Sequence, residues 1–299
     1  MSTKNQTRML DFLRAIYHSW VTERPGQMAA ALAYFGLFSI APIIFMGYTI
    51  ASLVIKQVAE YSHFYQRLEI ALGQDAAKWI QDSVVALGEK TFGGSNLVTI
   101  VSVIALLFAA SGMFFQIQFA LNTIFKPPPV ERDQTKTFIL QRLFSFLMIL
   151  GVGLLLILAS ILNVAINWFG SLLGDITGAG QALAILDFLT LFGLITLSFA
   201  TIYKVLPNVD IAWRDVWPGA ALAAVISLLA GMLLGIYFRI GGVGSAFEAA
   251  GTVTVILIAI NILAQIFLFG ALFTREYAQW YGSGKQVADP FRLKRETQE

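Results

Sequence analysis

The feature of this sequence that most constrains its fold is a series of long stretches without a charged residue. Five of them run for 23 to 35 residues, at 25–55, 91–125, 143–174, 216–238 and 249–274. Each is longer than the ~20 residues with which an α-helix crosses a hydrocarbon core of ~30 Å. A sixth stretch, 176–203, is interrupted only by Asp187. The pattern predicts an all-α, polytopic membrane protein with six transmembrane helices.

We place the six spans at about 28–55, 97–125, 141–168, 183–204, 217–238 and 251–274. The composition agrees, because 57% of the residues are hydrophobic and 13% are charged, against roughly 45–50% and 25% in soluble domains. The formal net charge of +2 gives no sign of a nucleic-acid partner. The absence of cysteine excludes disulfides, thiolate metal sites and cysteine nucleophiles.

The distribution of basic residues predicts the orientation. Fifteen Lys and Arg residues fall in the N-terminal segment, the 126–142 and 204–214 loops and the C-terminal segment, and five fall in the opposite connections. Because basic residues accumulate on the cytoplasmic side, both termini are predicted to be cytoplasmic. The chain then divides into an N-terminal cytoplasmic segment (1–27), a membrane domain (28–275) and a partly disordered cytoplasmic tail (276–299).

Two flanking segments have amphipathic patterns. Within 9–20, apolar residues recur at helical spacing with charged residues around the other side, which predicts an interfacial helix lying on the membrane. The apolar positions are Met9, Phe12, Leu13, Ile16, Tyr17 and Trp20. The external loop at about 56–96 carries two apolar stripes separated by Gly73 and Asp75, and it predicts two short external amphipathic helices between spans one and two.

Three pairs of amide side chains stand at i, i+4 spacing inside the predicted spans, so that each pair lies on one helix face. The pairs are Gln118 and Asn122, Asn163 and Asn167, and Asn261 and Gln265. In the predicted orientation they lie toward the cytoplasm, toward the outside and near mid-depth, respectively. Amides in a membrane either join helices or line a path. Both interpretations stay open, and the distribution over three depths favours a polar track.

Other residues within the spans extend this hypothesis. Tyr34, Ser39 and Thr254 are further candidates for the lining of a cavity. Asp187 is either an interfacial residue solvated by headgroups or an ion or proton site near the outer end of span four. Pro42 stands in the middle of span one, where it removes a backbone hydrogen bond and predicts a helix kink.

The sequence contains no recognisable catalytic site. The only histidines, His18 and His63, are predicted on opposite sides of the membrane, and no metal-binding, nucleophile-elbow or phosphate-loop motif is present. We therefore expect no enzymatic activity, no catalytic residue, no bound metal and no cofactor.

Four segments resemble the YihY/BrkB family of bacterial inner-membrane proteins, also designated UPF0761, which carries the older label "ribonuclease BN". The first segment is AAALAYF at 29–35 with Ser39 and Pro42, and the second runs from Ser-Gly at 111–112 to Asn122. The third is YKVLPN at 203–208 with Trp213 and Pro-Gly-Ala at 218–220. The fourth begins with Ala-Gln at 264–265 and continues with Gly-Ala at 270–271, Thr-Arg at 274–275 and Tyr-Ala at 277–278. The resemblance covers about 25–280. It implies a six-helix fold in the bacterial inner membrane and a transport or envelope role. The chain departs from the family pattern at Ala259 and Leu272, where relatives often carry Trp and an acidic residue.

Three functions follow from these patterns. The first is a transporter or a translocator of lipids or envelope components, with a polar cavity. Its partners are membrane lipids, and its substrate is a lipid or a small polar solute. The second is a scaffold without transport activity in envelope assembly or virulence, including serum resistance, that acts through Tyr61, Tyr65 and Trp79 of the external helices. The third, ribonuclease activity, has no support from the residues. Amides suit sugars, headgroups and zwitterions equally, and the oligomeric state is left open.

Overall fold

A computed structural model describes residues 2–54, 74–92, 96–127, 179–241 and 248–282, together with the single positions 65, 69, 151, 154, 158, 162 and 166. The secondary structure of these residues is helical. The helices are α1 (Ser2–Glu23), α2 (Pro25–Val54), α3 (Gln74–Phe92), α4 (Asn96–Phe125), α5 (Ala179–Val205), α6 (Trp213–Gly241) and α7 (Glu248–Trp280).

Four of these helices are long and apolar enough to cross a membrane. Their candidate spans are Pro25–Phe45 in α2, Leu183–Val205 in α5, Trp213–Ile236 in α6 and Val253–Trp280 in α7. Helix α4 has 30 residues and extends over about 45 Å at 1.5 Å per residue. The chain is therefore a multi-pass membrane protein, and all regular secondary structure in its described part is α-helical. Most of the predicted span at 141–168 and most of the 56–73 segment lie outside the described residues.

Two residues with positive φ, Arg24 and Lys126, lie at helix boundaries. Arg24, with φ of 49°, joins α1 to α2, and Pro25 occupies the first position of α2, where its missing N–H leaves no helical hydrogen bond unmade. Lys126, with φ of 50°, follows α4, and its N–H donates to the Asn122 carbonyl at 2.9 Å. A left-handed residue after a helix caps the last carbonyls, and the following Pro127 cannot continue the helix.

Helix α7 lies at the centre of the described bundle. It packs against α1, α2, α3, α4 and α6, while α5 packs mainly against α6. Large side chains of α4 to α7 are almost fully buried in this core, including Leu121, Tyr203, Ile256 and Leu268. The α6–α7 contact is close because a Cβ at Gly219 would lie 2.7 Å from the Gly270 carbonyl oxygen. Small residues that allow backbones to approach are typical of helix contacts in membranes.

Several helix ends meet at the same end of the bundle. Hydrogen bonds and ion pairs join the α1–α2 junction, the C-terminal ends of α4 and α7, and the connection between α5 and α6. We call this region the polar end. The sides of the bundle are apolar instead, since large hydrophobic side chains are exposed along the helices, as at Phe38, Phe188, Leu233 and Ile258. Such a surface fits a lipid environment.

Candidate functional site

The amide pair of α4 contacts the backbone of the α5–α6 connection at the polar end. Gln118 is buried, and its Nε2 donates to the Leu206 carbonyl at 3.0 Å. One helical turn later, the Asn208 backbone N–H donates to Asn122 Oδ1 at 2.8 Å. The two amides therefore hold the Leu206–Pro207–Asn208 turn against α4. The sequence places both on one face of α4, but it does not identify this turn as their partner.

A cavity of about 270 Å³ lies beside the same two amides. It is lined by Phe115, Gln118, Phe119, Asn122 and Thr123, which all belong to the last three turns of α4. The rings of Phe115 and Phe119 are 45% and 56% exposed, whereas Gln118 is 5% exposed. One wall of the cavity is thus polar and faces the bundle, and the other is aromatic and faces outward. An amphipathic molecule matches such a lining better than a fully polar one.

Each amide has bonding capacity beyond its contact with the turn. An amide side chain offers one carbonyl acceptor and an NH₂ group with two donors. Within the described residues, no hydrogen bond uses Gln118 Oε1 or Asn122 Nδ2. One acceptor and one donor group therefore accompany the two phenylalanine rings at the cavity.

A buried group of charged side chains lies next to this cavity at the polar end. Arg275 of α7 donates from Nη1 to the Ile124 carbonyl at 2.6 Å, and from Nη2 to Ser19 Oγ and Glu276 Oε1 at 2.7 Å each. Arg275 Nη1 also lies 3.5 Å from Glu23 Oε1. The side chains of Arg275, Glu23 and Glu276 are all less than 10% exposed.

Two further contacts complete this group, which we call the Arg275 network and define as Ser19, Glu23, Lys126, Arg275 and Glu276. Ser19 Oγ donates to Glu276 Oε1 at 2.8 Å, and Lys126 Nζ forms an ion pair with Glu23. The network therefore joins α1, the end of α4 and the end of α7. Since Lys126 follows α4 directly, the network also positions the helix that lines the cavity.

The family of the chain follows from comparison with known proteins. The model of the family described as "Virulence factor BrkB" matches residues 16–292, which is most of the chain. The chain belongs to the BrkB family. This match confirms the resemblance found in the sequence. No solved structure matches the chain.

The relatives of this BrkB family member are membrane proteins designated UPF0761. One from Tolumonas auensis is 24% identical over 273 residues, which cover 90% of this chain and 84% of the relative. One from Rhodospirillum centenum is 22% identical and one from Stenotrophomonas maltophilia is 27% identical. The chain spans only 54% and 61% of the lengths of these two relatives.

The other predicted lining residues of this BrkB family member do not all face one space. Tyr34 is 59% exposed and stacks edge-on with the Phe35 and Phe38 rings, whereas Ser39 is 2% exposed. Five residues along a helix correspond to a rotation of about 140° from one face. Tyr34 and Ser39 thus lie on different sides of α2, and Pro42 lies within α2, which continues from Pro25 to Val54.

On α7, Gln265 Nε2 donates to Asn261 Oδ1 at 2.7 Å, and both residues are partly buried. Thr254 is exposed nearer the start of the same helix, and Asp187 is partly buried in the first half of α5. Asn163 and Asn167 lie outside the described residues. Among the described residues, no group of three or more His, Asp or Glu side chains is placed to hold a metal ion.

Sequence reasoning missed the Arg275 network. It counted Arg275 among the basic residues of the cytoplasmic tail and did not consider Ser19 or Glu23. One signal was present, because Arg275 and Glu276 directly follow 26 uncharged residues and are themselves followed by another uncharged helical turn, 277–280, with two aromatic residues. Charges that continue an apolar helix without a turn residue indicate that the helix continues, and here α7 extends to Trp280.

Proposed function

We propose that the protein spans the bacterial inner membrane six times, with both termini in the cytoplasm, and that it moves a membrane lipid between the two leaflets. The observation that carries this proposal is the cavity of about 270 Å³ on α4, with the buried Gln118 and the partly buried Asn122 on one side and exposed phenylalanine rings on the other. The described parts of the segments rich in Lys and Arg meet at the polar end, which supports a cytoplasmic location for that end.

The chemistry of the cavity favours a lipid over a soluble solute. A headgroup forms hydrogen bonds with neutral amides such as Gln118 and Asn122, while acyl chains remain beside Phe115, Phe119 and the surrounding bilayer. A small polar solute has no acyl chain with which to cover the two exposed aromatic rings, whereas a lipid does. Polar groups inside a membrane usually mark a substrate path or a helix contact, and these amides have capacity for both.

The scaffold alternative depends on the external helices, with Tyr65 and Trp79 as contact residues. Tyr65 is 7% exposed, and Trp79 packs against the hydrophobic core. This packing leaves α3 with an outward face that is mainly charged and polar, at Lys78, Gln81, Asp82 and Glu89. Such a face offers few of the apolar anchors that dominate stable interfaces, so the scaffold is the less favoured function.

The proposal can be tested by changing the charge of the cavity without removing the contact to the turn. The substitution Asn122→Asp keeps an oxygen to accept the hydrogen bond from the Asn208 N–H and replaces the NH₂ donor with a carboxylate oxygen. The matched control is Gln116→Glu, which makes the same chemical change on α4 at a position outside the cavity lining. Both variants are placed in proteoliposomes at alkaline pH, where the carboxylates are ionised.

The measurement is the rate at which fluorescent lipids of the inner leaflet become accessible to an external quencher. Like charges ~4 Å apart repel by up to ~4 kcal/mol at an effective dielectric constant of ~20. Since about a third of that repulsion already corresponds to a factor of ten in rate, Asn122→Asp should slow an anionic lipid about tenfold relative to a zwitterionic one. Gln116→Glu should leave the ratio of the anionic to the zwitterionic lipid rate unchanged. If this ratio is the same in both variants, the lipid path does not pass Asn122.

A further inference from the structure

The N-terminal helix α1 presents three distinct faces, and one of them packs against the bundle. Phe12, Ile16 and Ser19 are buried on this face. The Phe12 ring packs edge-on against Phe273 at a centroid distance of 5.5 Å. Ser19 hydrogen-bonds with Arg275 and Glu276 in the Arg275 network. This face of α1 is therefore fixed to the last third of α7.

The second face is apolar and exposed. Five large hydrophobic side chains on it are each at least half exposed: Met9, Leu10, Leu13, Tyr17 and Val21. At 100° per residue these five positions fall within an arc of about 120° that borders the buried face. We call these five residues the apolar arc of α1. An exposed apolar patch of this kind marks a contact with a membrane or another protein.

The third face is polar and completes the circumference of the helix. Arg14 is 81% exposed and lies 3.7 Å from Asp11, and Thr22 lies within 3.5 Å of the His18 ring. Helix α1 thus has one side for protein, one for an apolar medium and one for water. A helix at the edge of a membrane protein meets these three environments at the bilayer interface.

We propose that the apolar arc of α1 is inserted into the headgroup and upper acyl region of the bilayer beside the polar end. The occupant of this surface is lipid, because α1 leads after a single residue into the membrane-spanning helix α2, whose exposed side chains Tyr34, Phe35 and Phe38 are likewise large and apolar. The inference does not rest on lipid translocation.

Aromatic residues at the polar end support this location. Trp213 and Trp217 at the start of α6 are 46% and 43% exposed, and Tyr281 after α7 is 46% exposed. Trp and Tyr concentrate at membrane interfaces, where their rings are apolar and their polar atoms remain hydrated. The Tyr281 ring packs against Phe12 of α1 at a centroid distance of 5.4 Å. Helix α1 therefore lies at the level of these interfacial side chains.

The contacts with α7 also give the depth of each end of α1. Phe12 contacts Phe273 as well as Trp280 and Tyr281, whereas Trp20 contacts Phe269, about one helical turn closer to the membrane centre than Phe273. The C-terminal part of α1 should consequently lie deeper than its N-terminal part. Val21 is expected to be the deepest member of the apolar arc, and Met9 and Leu10 the shallowest.

Single-cysteine spin labelling tests this proposal, and the natural chain contains no cysteine that would have to be removed. Single cysteines replace Leu10, Leu13, Tyr17 and Val21 of the apolar arc in the full-length protein. Matched control cysteines replace Asp11, His18 and Thr22 of the polar face of the same helix. Each nitroxide is measured in phospholipid vesicles with oxygen, which partitions into lipid, and with a water-soluble nickel chelate.

The expected result is a helical periodicity with a gradient. Labels on the apolar arc should collide with oxygen several-fold more than with the nickel chelate, with the ratio rising from Leu10→Cys to Val21→Cys, and the control labels should show the reverse preference. Preference for nickel at both sets of positions would overturn the proposal. Spin–spin broadening confined to the apolar arc would also overturn it, because it would assign the surface to a second copy of the chain. Protection of the arc from both reagents would overturn it as well, because it would assign the surface to another protein segment.

Discussion

Replacement of Arg275 by methionine is expected to destabilise the protein strongly. The substitution keeps a long, flexible apolar chain but removes the guanidinium that contacts the Ile124 carbonyl, Ser19, Glu23 and Glu276. Because both carboxylates are less than 10% exposed, water cannot replace the lost partner without opening the contact between α1 and α7.

The magnitude follows from the environment of the two carboxylates. Removing one partner from a buried ion pair usually reduces the free energy of unfolding by about 3–5 kcal/mol, because a buried charge is left without compensation. Lys126 still pairs with Glu23 in the variant, but it lies at 41% side-chain exposure and does not reach Glu276 in the structure. We therefore expect a loss near the lower limit, about 3 kcal/mol.

The matched comparison is the double variant Arg275→Met/Glu276→Met, which removes the uncompensated carboxylate together with its partner. Replacing both members of a buried pair with apolar residues is often close to neutral. We expect the double variant to regain at least half of the lost free energy, and Arg275→Lys to retain part of the contacts. Reversible unfolding in bicelles, followed by tryptophan fluorescence, gives the free energy of each variant.

The reasoning is refuted by either of two results. A loss below about 1 kcal/mol in Arg275→Met would show that the network contributes no more than an exposed ion pair does. A double variant less stable than Arg275→Met alone would show that the two residues contribute to stability independently, because the stability losses of uncoupled residues add, whereas those of coupled neighbours do not.

Three further predictions follow from the packing and the orientation. Gly219→Ala should lower the free energy of unfolding by about 1–3 kcal/mol, because the new Cβ would lie 2.7 Å from a backbone oxygen of α7. Gly26→Ala is the control, since a Cβ at Gly26 would meet nothing within 4 Å. Tyr203→Phe should cost about 0.5–1.5 kcal/mol in the same unfolding assay, since it removes the 2.6 Å hydrogen bond from the tyrosine hydroxyl to the Phe267 carbonyl, while that carbonyl remains inside helix α7. In intact cells a membrane-impermeant maleimide should label Gln81→Cys but not Asp210→Cys, and the reverse pattern would invert the proposed orientation.

Much of the fold was predictable from the charge-free stretches. Helices α4, α5, α6 and α7 each contain a predicted span, and α2 covers the first predicted span as far as Val54, because in lipid a chain must satisfy its backbone hydrogen bonds internally. The ends were less predictable. Helix α7 continues to Trp280, six residues beyond the predicted span, because Arg275 and Glu276 find partners inside the protein.

The faces of α1 illustrate a second limit. Periodicity predicts an amphipathic helix, and it assigns Phe12, Ile16 and Tyr17 to one apolar stripe. The structure divides that stripe, with Phe12 and Ile16 against α7 and Tyr17 72% exposed. Apolar periodicity alone does not distinguish a face that contacts protein from a face that contacts lipid, because both media favour the same residues.

The candidate site was predictable only in part. The i, i+4 spacing of Gln118 and Asn122 correctly places both amides on one face of α4. Their partners are Leu206 and Asn208, more than 80 residues later in the chain. These partners are backbone groups, which every residue possesses, so no residue type in the sequence identifies them.

Lipid exchange by the purified wild-type protein is the direct test of whether it moves lipids between the two leaflets. Vesicles with and without the protein are prepared with a fluorescent headgroup lipid in both leaflets, and a membrane-impermeant reductant is added outside. If the protein moves lipids between the leaflets, protein-containing vesicles will lose the inner-leaflet signal as well, while an encapsulated soluble dye remains protected. Loss of the outer-leaflet signal alone, at the same rate and extent as in protein-free vesicles, would contradict it.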